Sequence, residues 1–392
     1  TARLAERRGV DSTPRPGGKL LWVHAASVGE SVSILPVLSA LDNHDLSVLL
    51  TTGTVTSATL MAERLSVLKL TRVLHRFAPL DVPRWAARFL DHWRPDAVAF
   101  VESELWPNLL AGCRARAIPT MLVNARLSAR SFARWQRAPG FAAHVVGHFD
   151  LVQAQSADDA ERLRALGGVR VSAPGNLKLA APALPADGAE LERLRVTLAG
   201  RPCWVAASTH PGEEAIVLDA HRRLAPMWPG LLTILVPRHP ERGAEVAALT
   251  CGIAMARRSL GAPPPPEGLW IADTLGELGL WYRLAAGALV GRSLVKPGGG
   301  QNPLEPARLG CPVAAGPFMD NFADATRALE ATGALSRVAD GAAIADWLDA
   351  LLRDPDRRAA GGAAGLAVAA GYEHLAEAPT AALLGLLARG RG

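Results

Sequence analysis

The chain has 392 residues, a length that favours two domains, and its content of 49% apolar and 20% charged residues is that of a folded protein. The 4 cysteines lie far apart without a C-x-x-C pair, which argues against a disulfide scaffold or a zinc ribbon, and no apolar run reaches the roughly 18 residues of a membrane span. The net charge of +5 suits an anionic ligand or an anionic surface, whereas the aromatic share of 5% argues against a nucleic-acid binder.

Short apolar runs alternate with longer amphipathic segments along most of the chain. Short runs rich in Val, Ile and Leu are typical of strands buried on both faces of a parallel sheet. The predicted strands are 20–23, 46–50, 97–101, 120–123, 151–154, 203–207, 231–236, 269–272 and 286–290.

Segments with helical periodicity lie between these strands, at 31–41, 57–65, 82–92, 213–224 and 275–284. Strands that alternate with helices predict right-handed βαβ units. The sequence therefore predicts an α/β fold of two Rossmann-like, doubly wound domains that face each other across a cleft. Pro182 and Pro185 interrupt the pattern at 180–188, and the predicted domains are residues 1–180 and 181–392.

The first polar turn follows the strand at 20–23 and contains Ser27, Gly29 and Glu30. Gly29 permits a sharp reversal before the next helix. Glu30 has the chemistry of a general base for a hydroxyl nucleophile. A structural role is equally open, because a carboxylate in the first turn of a helix offsets the helix dipole.

Two carboxylates follow the strand at 97–101. Glu102 and Glu104 lie on one side of an extended chain, close to Asn108, and such a pair binds sugar hydroxyls or raises the pKa of one member. Arg126 leaves the next strand and either binds a ligand or pairs with one of these acids. The turn predicts a ligand site, with helix capping as the alternative for one acid.

Polar turns also follow the strands of the second half. Ser208 and Thr209 precede a helix whose free N–H groups suit an anion. Arg238 offers the forked donor set that phosphate favours, and His239 beside it fits either a structural or a ligand-binding role. Another turn at a helix entrance contains Gly276 and Glu277.

Three consecutive glycines end at Gly300 and are followed by Gln301. They let a ligand approach the backbone, and a helix expected to begin near Pro303 would hold phosphate at its start. Glu305 lies one turn after Asn302, where it suits hydrogen bonds from a ribose diol. The segment is neither a P-loop nor an early G-x-G-x-x-G of a dinucleotide fold.

Taken together and in order, these motifs resemble those of the 3-deoxy-D-manno-octulosonic acid (Kdo) transferases, which are lipopolysaccharide inner-core glycosyltransferases with the GT-B architecture. The motifs are H-A-A-S-V-G-E at 24–30, E-S-E-L-W-P-N at 102–108, N-A-R-L-S at 124–128, G-N-L-K at 175–178, A-S-T-H-P-G-E-E at 207–214, P-R-H-P-E-R at 237–242, D-T-L-G-E-L at 273–278 and G-Q-N-P-L-E at 300–305.

The resemblance implies transfer of Kdo from CMP-Kdo to a lipid A precursor (lipid IVA), with no cofactor and no metal. It makes Glu30 the catalytic base, residues 1–180 the acceptor-binding domain and residues 181–392 the CMP-Kdo-binding domain. The expected acceptor-binding residues are Ser27, Gly29, Glu102, Glu104, Asn108 and Arg126. The expected donor-binding residues are Lys178, Ser208, Thr209, Arg238, His239, Gly276, Glu277, Gly300, Gln301, Asn302 and Glu305.

Two features depart from the family pattern. Gln301 stands where the family commonly has histidine, so a cationic role at this position is lost while hydrogen bonding is kept. Family members usually begin with an apolar anchor followed by a G-E-R-x-G-like stretch, and of that region this sequence shows only Glu6-Arg7-Arg8-Gly9. Peripheral contact with the cytoplasmic face of the inner membrane is expected through basic and apolar surface of the first domain.

Three alternatives stay open on the sequence. One is a GT-B enzyme that uses another sugar nucleotide, and the second is a sugar-nucleotide epimerase with the same two-domain layout. The third is a nucleotide-binding module without catalytic activity. An epimerase needs neither a lipid-facing surface nor a base for an incoming hydroxyl.

Overall fold

Two seven-stranded parallel sheets form the framework of the protein. The computed structural model describes residues 3–198 and 200–389. The first sheet has the order β3-β2-β1-β4-β5-β6-β7. Its strands are β1 (Leu20–Ala25), β2 (Ser47–Thr52), β3 (Val73–Phe77), β4 (Ala97–Val101), β5 (Thr120–Ala125), β6 (Leu151–Ala154) and β7 (Val171–Ser172).

The second sheet has the order β10-β11-β9-β8-β12-β13-β14, and all of its pairs are parallel. Its strands are β8 (Cys203–Thr209), β9 (Leu232–Pro237), β10 (Met255–Arg257), β11 (Gly268–Ile271), β12 (Ala288–Val290), β13 (Val313–Ala315) and β14 (Leu335–Arg337). Every strand predicted from the sequence is present, and the α/β, doubly wound class is confirmed.

Helices connect the strands of both sheets. Those of the first part of the chain are α1 (Leu4–Arg7), α2 (Val28–Ser33), α3 (Leu35–Leu41), α4 (Val55–Val67), α5 (Pro83–Trp93), α6 (Pro107–Ala115), α7 (Ala129–Trp135), α8 (Pro139–Val146) and α9 (Ala157–Ala165). Those that follow are α10 (Gly188–Thr197), α11 (Glu213–Leu224), α12 (Gly243–Leu249), α13 (Leu278–Leu284), α14 (Leu304–Ala307), α15 (Ala323–Ala331), α16 (Gly341–Arg353), α17 (Pro355–Ala370) and α18 (Glu377–Arg389). Short 3₁₀ turns occupy Leu177–Ala180, Pro240–Arg242, Arg258–Leu260, Asp320–Phe322 and Glu373–Ala376.

The helix predicted at 31–41 is divided into α2 and α3 at Ile34. Pro36 follows within the first two positions of α3. Proline has no N–H, and its ring collides with the carbonyl of the preceding turn. A continuous helix through this position is therefore disfavoured, and the chain starts a new one.

The chain divides into two compact units. The N-terminal unit comprises Thr1–Pro182 and the segment that begins at Glu373, and the second unit is Ala183–Tyr372. The sequence prediction placed everything after residue 180 in the second domain. The structure differs because α18 packs on α3, β4 and β5 of the N-terminal unit, where it buries Leu383, Leu386 and Leu387.

Each unit has its own aromatic core. In the N-terminal unit the Trp22 ring lies 4.7 Å from Phe89 and 5.4 Å from Phe100, and in the second unit Trp270 lies 5.1 Å from Trp281. Large buried rings of this kind supply much of the hydrophobic free energy of a domain. Within residues 3–198 and 200–389, no helix is long and apolar enough to cross a lipid bilayer.

Each sheet has a central switch point, where the chain connections on either side lead in opposite directions. This switch point lies between β1 and β4 in the first sheet and between β8 and β12 in the second. Ligands of doubly wound sheets bind beyond the carboxyl ends of the strands at this point. Functional side chains are therefore expected in the segments that directly follow β1, β4, β8 and β12.

Candidate functional site

Glu30 lies in the first turn of α2, shortly after β1 and next to the switch point of the first sheet. Its Oε2 accepts hydrogen bonds from the backbone N–H groups of Ala26 at 2.6 Å and Ser27 at 3.2 Å. The Ser27 hydroxyl accepts the N–H of Glu30 in return, which completes a capping box. The structural role that the sequence left open is thus present, and it fixes the position of the carboxylate at the edge of the sheet.

The surroundings of Glu30 raise its pKa above the ordinary value of 4.5. Burial is the largest cause, and repulsion by the carboxylates of Glu104 and Glu102 adds to it, while hydrogen bonds with Ser27 act in the opposite direction. A carboxylate with a raised pKa is a stronger proton acceptor than an ordinary glutamate. A raised pKa is one property that general-base chemistry near neutral pH requires.

The pKa of Glu104 is shifted in the direction opposite to that of Glu30. Burial alone would raise its pKa, but hydrogen bonds from His24 and Trp106 hold the pKa below the ordinary value. His24 Nε2 lies 3.1 Å from Glu104 Oε2, and its Nδ1 lies 3.0 Å from the Thr51 hydroxyl, which orients the ring. Neighbouring carboxylates with pKa values shifted in opposite directions are a recurrent feature of acid–base sites.

Glu102 forms an ion pair with Lys178, and Lys178 Nζ lies 2.6 Å from Glu102 Oε1. Glu102 follows β4 with a φ of 61° and is 8% exposed. A Cβ added to Gly29 would lie 3.9 Å from Lys178 Cε, so the ammonium side chain also borders the turn that carries Glu30. The prediction grouped Lys178 with the donor-binding turns, but the structure places it beside the carboxylates of the N-terminal unit.

The backbone around Lys178 explains this placement. The 3₁₀ turn Leu177–Ala180 is anchored to β5, because the Asn124 side chain accepts the N–H of Leu177 at 2.9 Å. Asn124 has a φ of 53°, a conformation that asparagine adopts more readily than most residues. The sequence motif at 175–178 does not show this contact, which joins residues 53 positions apart.

The remaining predicted acceptor residues take different positions. The Asn108 side-chain amide donates to the Asp81 carbonyl at 2.8 Å and thereby holds the loop before α5. Arg126 is exposed, and its guanidinium makes no ion pair within residues 3–198 and 200–389, so neither pairing considered in the sequence analysis is formed. Ser27 and Gly29 are exposed in the turn itself.

In the second unit, Ser208 and Thr209 end β8 in different environments. Ser208 has a φ of 57°, at the place where the β8–β9 register shifts. Thr209 is fully buried, and its hydroxyl donates to Glu214 at 3.0 Å. Glu214 is also buried and forms an ion pair with Arg242 at 2.7 Å. The buried Thr209 thus stabilises the turn through its hydrogen bond to Glu214, whereas the Ser208 side chain is partly exposed.

Arg238 and His239 follow β9 and are both exposed. No ion pair of the Arg238 guanidinium is found in the described part of the chain, and its backbone N–H donates to Thr209 at 2.9 Å. The His239 ring lies 6.2 Å from that of His210, the residue after Thr209. The ends of β8 and β9 therefore present a cation and two imidazoles together.

Gly276 and Glu277 form the turn before α13. Gly276 has a φ of 85°, and no heavy atom lies within 4 Å of a Cβ added there, so the backbone conformation rather than packing requires glycine. Glu277 forms an ion pair with Arg258 at 2.6 Å. Its carboxylate is therefore already engaged within the unit.

The glycines that end at Gly300 pack against the chain itself. All three have positive φ, and a Cβ on Gly300 would lie 2.3 Å from Met319 Sδ. α14, which begins beyond them, has only four residues, and the Asn302 side chain accepts the N–H of Leu304 at 3.0 Å. Gln301 and Glu305 are partly buried beside it. The helix expected to hold phosphate is thus too short to carry a substantial dipole.

Glu213 is a residue that the sequence analysis did not single out. It is fully buried, and its carboxylate accepts N–H bonds from His210 at 2.9 Å, Arg292 at 2.7 Å, Ser293 at 2.8 Å and Leu294 at 2.9 Å. It thereby ties the turn after β8 to the loop after β12. The only sequence signal is an acid directly after Gly212 at a helix start, which does not reveal the distant partners.

No group of three or more His, Cys, Asp or Glu side chains suited to a metal ion occurs among the residues that the structure describes. The polar residues form two groups, one in each unit. Carboxylates and Lys178 lie at the edge of the first sheet, and Arg238 with two histidines lies at the edge of the second. The first group suits proton transfer, and the second suits an anionic ligand.

Comparison with known proteins identifies the family of the chain. A family model described as 3-deoxy-D-manno-octulosonic-acid transferase (kdotransferase) matches residues 2–181. The chain is 37% identical over 359 residues to the 3-deoxy-D-manno-octulosonic acid transferase of Bordetella pertussis, which covers 88% of this chain and 82% of that protein. It is also 37% identical over 378 residues to the transferase of that name from Haemophilus influenzae, covering 93% and 87%.

A solved structure shares the fold at much lower sequence identity. The UDP-GlcNAc 2-epimerase of Neisseria meningitidis superposes with a TM-score of 0.59 at 15% identity, covering 94% of this chain and 100% of that one. This likeness concerns the fold alone, whereas the transferases match in sequence over most of their length. The chain belongs to the 3-deoxy-D-manno-octulosonic acid transferase family and is therefore a glycosyltransferase of lipopolysaccharide biosynthesis.

Proposed function

We propose that the enzyme transfers Kdo from CMP-Kdo to a hydroxyl of a lipid A precursor, lipid IVA, with Glu30 as the base. The observation that carries the proposal is the Glu30 carboxylate at the switch point of the first sheet, with its pKa raised by burial and by neighbouring acids. A base in this position suits an acceptor hydroxyl, which must lose its proton as it attacks.

The chemical step has two requirements. The acceptor oxygen forms a bond to the anomeric carbon of Kdo, and its proton moves to Glu30. The bond between that carbon and the phosphate oxygen breaks, and its electron pair leaves with CMP. Glu30 meets the first requirement, and a preorganised cation that offsets the charge on the phosphate meets the second.

Arg238 is the residue best suited to the departing phosphate. Its guanidinium is exposed at the end of β9 and engaged in no ion pair within the described residues. Guanidinium binds phosphate through two parallel hydrogen bonds. The Ser208 hydroxyl, at the end of the neighbouring strand, is a second donor for the same group. A metal is not required in this scheme.

On the acceptor side, Lys178 and Glu102 are proposed to act together. The Lys178 ammonium neutralises Glu102 and lies next to Gly29. A lipid A precursor carries phosphate and sugar hydroxyls, which an ammonium and an exposed Arg126 guanidinium are suited to bind. This assigns Lys178 to the acceptor rather than to the nucleotide.

Incubation of the protein with CMP-Kdo and a tetra-acylated lipid A precursor, followed by mass measurement of the lipid, tests the proposal. The expected product is heavier than the acceptor by one or more Kdo units. Titration with CMP and UDP is the companion measurement, and we expect CMP to bind more tightly. Turnover of a sugar nucleotide without any lipid acceptor would contradict the proposed transfer.

Replacing Glu104 by glutamine is expected to shift the pH dependence of transfer. Glu30 must be deprotonated to act, so activity rises with pH through its pKa. Removal of the Glu104 charge removes one cause that raises this pKa. The rising limb of kcat is therefore expected to move to lower pH, by up to about one unit. A limb that stays in place, measured across pH 4 to 8, would contradict the electrostatic coupling.

We further propose that the protein contacts the cytoplasmic face of the inner membrane through α7 and the start of α8. This basic–aromatic surface consists of Arg130, Arg134, Arg137, Trp135 and Phe141. α7 buries none of its residues, Phe141 is 51% exposed, and its ring stacks on Trp135 with centroids 5.9 Å apart. Basic side chains around an exposed ring suit an anionic lipid surface.

Neutralising Arg134 and Arg137 as glutamine is expected to weaken binding to vesicles of anionic lipid. Each basic residue near such a surface contributes about 1 kcal/mol, so the double variant is expected to bind roughly thirtyfold less tightly. Sedimentation of the protein with vesicles at increasing salt measures the effect. The variant in which Arg222 and Arg357 are replaced by glutamine loses the same charge in the second unit and serves as the control. Equal binding of both variants, or binding unchanged by salt, would contradict the proposal.

A further inference from the structure

Arg292 lies just beyond β12, after Gly291, and has an unusual backbone conformation. Its φ is 58°, in the left-handed region that most side chains disfavour. An arginine held there destabilises the fold relative to a glycine at the same position. Glycine would avoid this strain, so the presence of arginine indicates a role for its side chain.

The buried carboxylate of Glu213 imposes the conformation. It accepts the N–H groups of Arg292, Ser293 and Leu294, which turns three consecutive amides toward one side chain. The same oxygen, Oε2, accepts the N–H of Arg292 at 2.7 Å and of His210 at 2.9 Å. Arg292 and His210 are therefore neighbours, held by a rigid and fully buried group.

Glu213 holds the backbone of Arg292 and not its side chain. Arg292 is exposed, and no hydrogen bond or ion pair of its guanidinium is found in residues 3–198 and 200–389. The pKa of His210 lies below its ordinary value, mainly through burial, and the charge of Arg292 contributes to lowering it. Arg292 shares Glu213 Oε2 with His210, and the His210 ring lies 6.2 Å from that of His239. Arg292 therefore adjoins the basic group at the ends of β8 and β9.

This basic group lies at the switch point of the second sheet. β8 and β12 are the strands that flank the switch point of the second sheet, and a Cβ on Gly291 would lie 2.4 Å from the Ser208 carbonyl oxygen. The chain after β12 thus abuts the chain after β8. Ligands of this fold bind at this point, and the buried Glu213 carboxylate holds the backbone of the exposed Arg292 there.

We propose that Arg292 is a further donor-binding residue, which contacts an anionic oxygen of the nucleotide sugar. The inference rests on the proposed function for the identity of the donor. CMP-Kdo offers two such groups, the phosphate and the carboxylate of the sugar, and both suit a guanidinium. Arg292 then acts with Arg238, and the strained backbone holds its charge in place before the donor arrives.

Replacing Arg292 by glycine tests the proposal with little risk to the fold, because glycine adopts a φ of 58° without strain. We expect CMP-Kdo to bind about tenfold to a hundredfold less tightly, as on loss of a charged hydrogen bond. The melting temperature is expected to equal or exceed that of the wild type. Arg292→Lys keeps the charge, and it is expected to recover part of the affinity.

Binding of cytidine, CMP and CMP-Kdo by calorimetry identifies the group contacted. Weaker binding of CMP but not of cytidine would assign the contact to the phosphate, and weaker binding of CMP-Kdo alone would assign it to the carboxylate. Equal affinity of wild type and Arg292→Gly for all three ligands would overturn the proposal.

Arg94→Gly is the matched control. Arg94 is also an exposed arginine with positive φ, 42°, but it ends α5 in the N-terminal unit. The substitution Arg94→Gly relieves the same kind of backbone strain and is expected to leave the affinity for nucleotide unchanged. If the wild type prefers UDP to CMP, the donor assignment fails, and the effect of Arg292→Gly is then measured on UDP. A loss of UDP affinity would still support Arg292 as an anion-binding residue, and no loss would overturn it.

Discussion

Replacing Glu30 by glutamine is expected to reduce kcat for Kdo transfer by about 10²–10⁴-fold, the usual contribution of a general base. Glutamine cannot accept the proton of the acceptor hydroxyl at neutral pH. It does keep the carbonyl oxygen that accepts the N–H groups of Ala26 and Ser27, because glutamine also serves in a capping box. The start of α2 is therefore expected to stay folded, and the affinity for CMP to stay unchanged.

Two controls separate the proton transfer from the capping role. Ser27→Ala removes the other half of the capping box and is expected to lower the free energy of unfolding by about 1 kcal/mol. Glu63→Gln removes an exposed carboxylate on α4 and is expected to behave as wild type. Steady-state transfer and equilibrium unfolding are measured for all three variants. Turnover by Glu30→Gln near the wild-type rate would exclude Glu30 as the base.

Replacing Glu213 by glutamine is expected to lower the free energy of unfolding of the second unit by about 3 kcal/mol or more. Its carboxylate is fully buried and accepts hydrogen bonds from the N–H groups of His210, Arg292, Ser293 and Leu294. A glutamine amide nitrogen cannot accept hydrogen bonds, so it leaves some of these donors unpaired. Buried donors that lose a charged acceptor cost about 1–3 kcal/mol each.

Urea denaturation and hydrogen exchange measure this effect. We expect the amides of His210 and of residues 292–294 to exchange faster in the variant, because they lose their acceptor. Glu267→Gln removes an exposed carboxylate of the same unit and is the matched control. Unchanged exchange at these amides would show that the carboxylate does not hold the two loops together. The variant is also expected to bind nucleotide more weakly. Glu213 holds the backbone of Arg292, which we propose to bind the donor, and that of His210, which lies beside the β9 end where Arg238 is found.

The alternation of apolar runs was sufficient to predict the strands in the middle of each sheet. β1, β4 and β8 are buried on both faces and carry continuous apolar sequence. Other strands did not meet that criterion. β3 is only half-buried, β7 has two residues, and β10 begins with an exposed methionine. Strands that pair at an edge or run for two or three residues have too little apolar sequence to be recognised.

The candidate site was predicted in part for a similar reason. Polar residues directly after buried strands converge at one edge of a parallel sheet, so Glu30 and Glu102 were recognisable from their positions. The side chains that contact those residues could not be recognised from the sequence. Lys178 reaches Glu102 only because Asn124 anchors the intervening turn. Glu213 acts on a loop about 80 residues further along the chain, and no local pattern marks such a contact.

The sequence alone determined the fold class, the positions of the polar turns and the membership of a transferase family, because these depend on periodicity and on motifs that are local in the chain. Tertiary structure alone decided which acid pairs with Lys178, which unit holds the segment from Glu373 onward, and which charges surround each acid. The pKa of Glu30 rises and that of Glu104 falls through burial and through neighbours far away in sequence. Electrostatic interactions depend on distance in space and on access to water, and both are set only when the chain is folded.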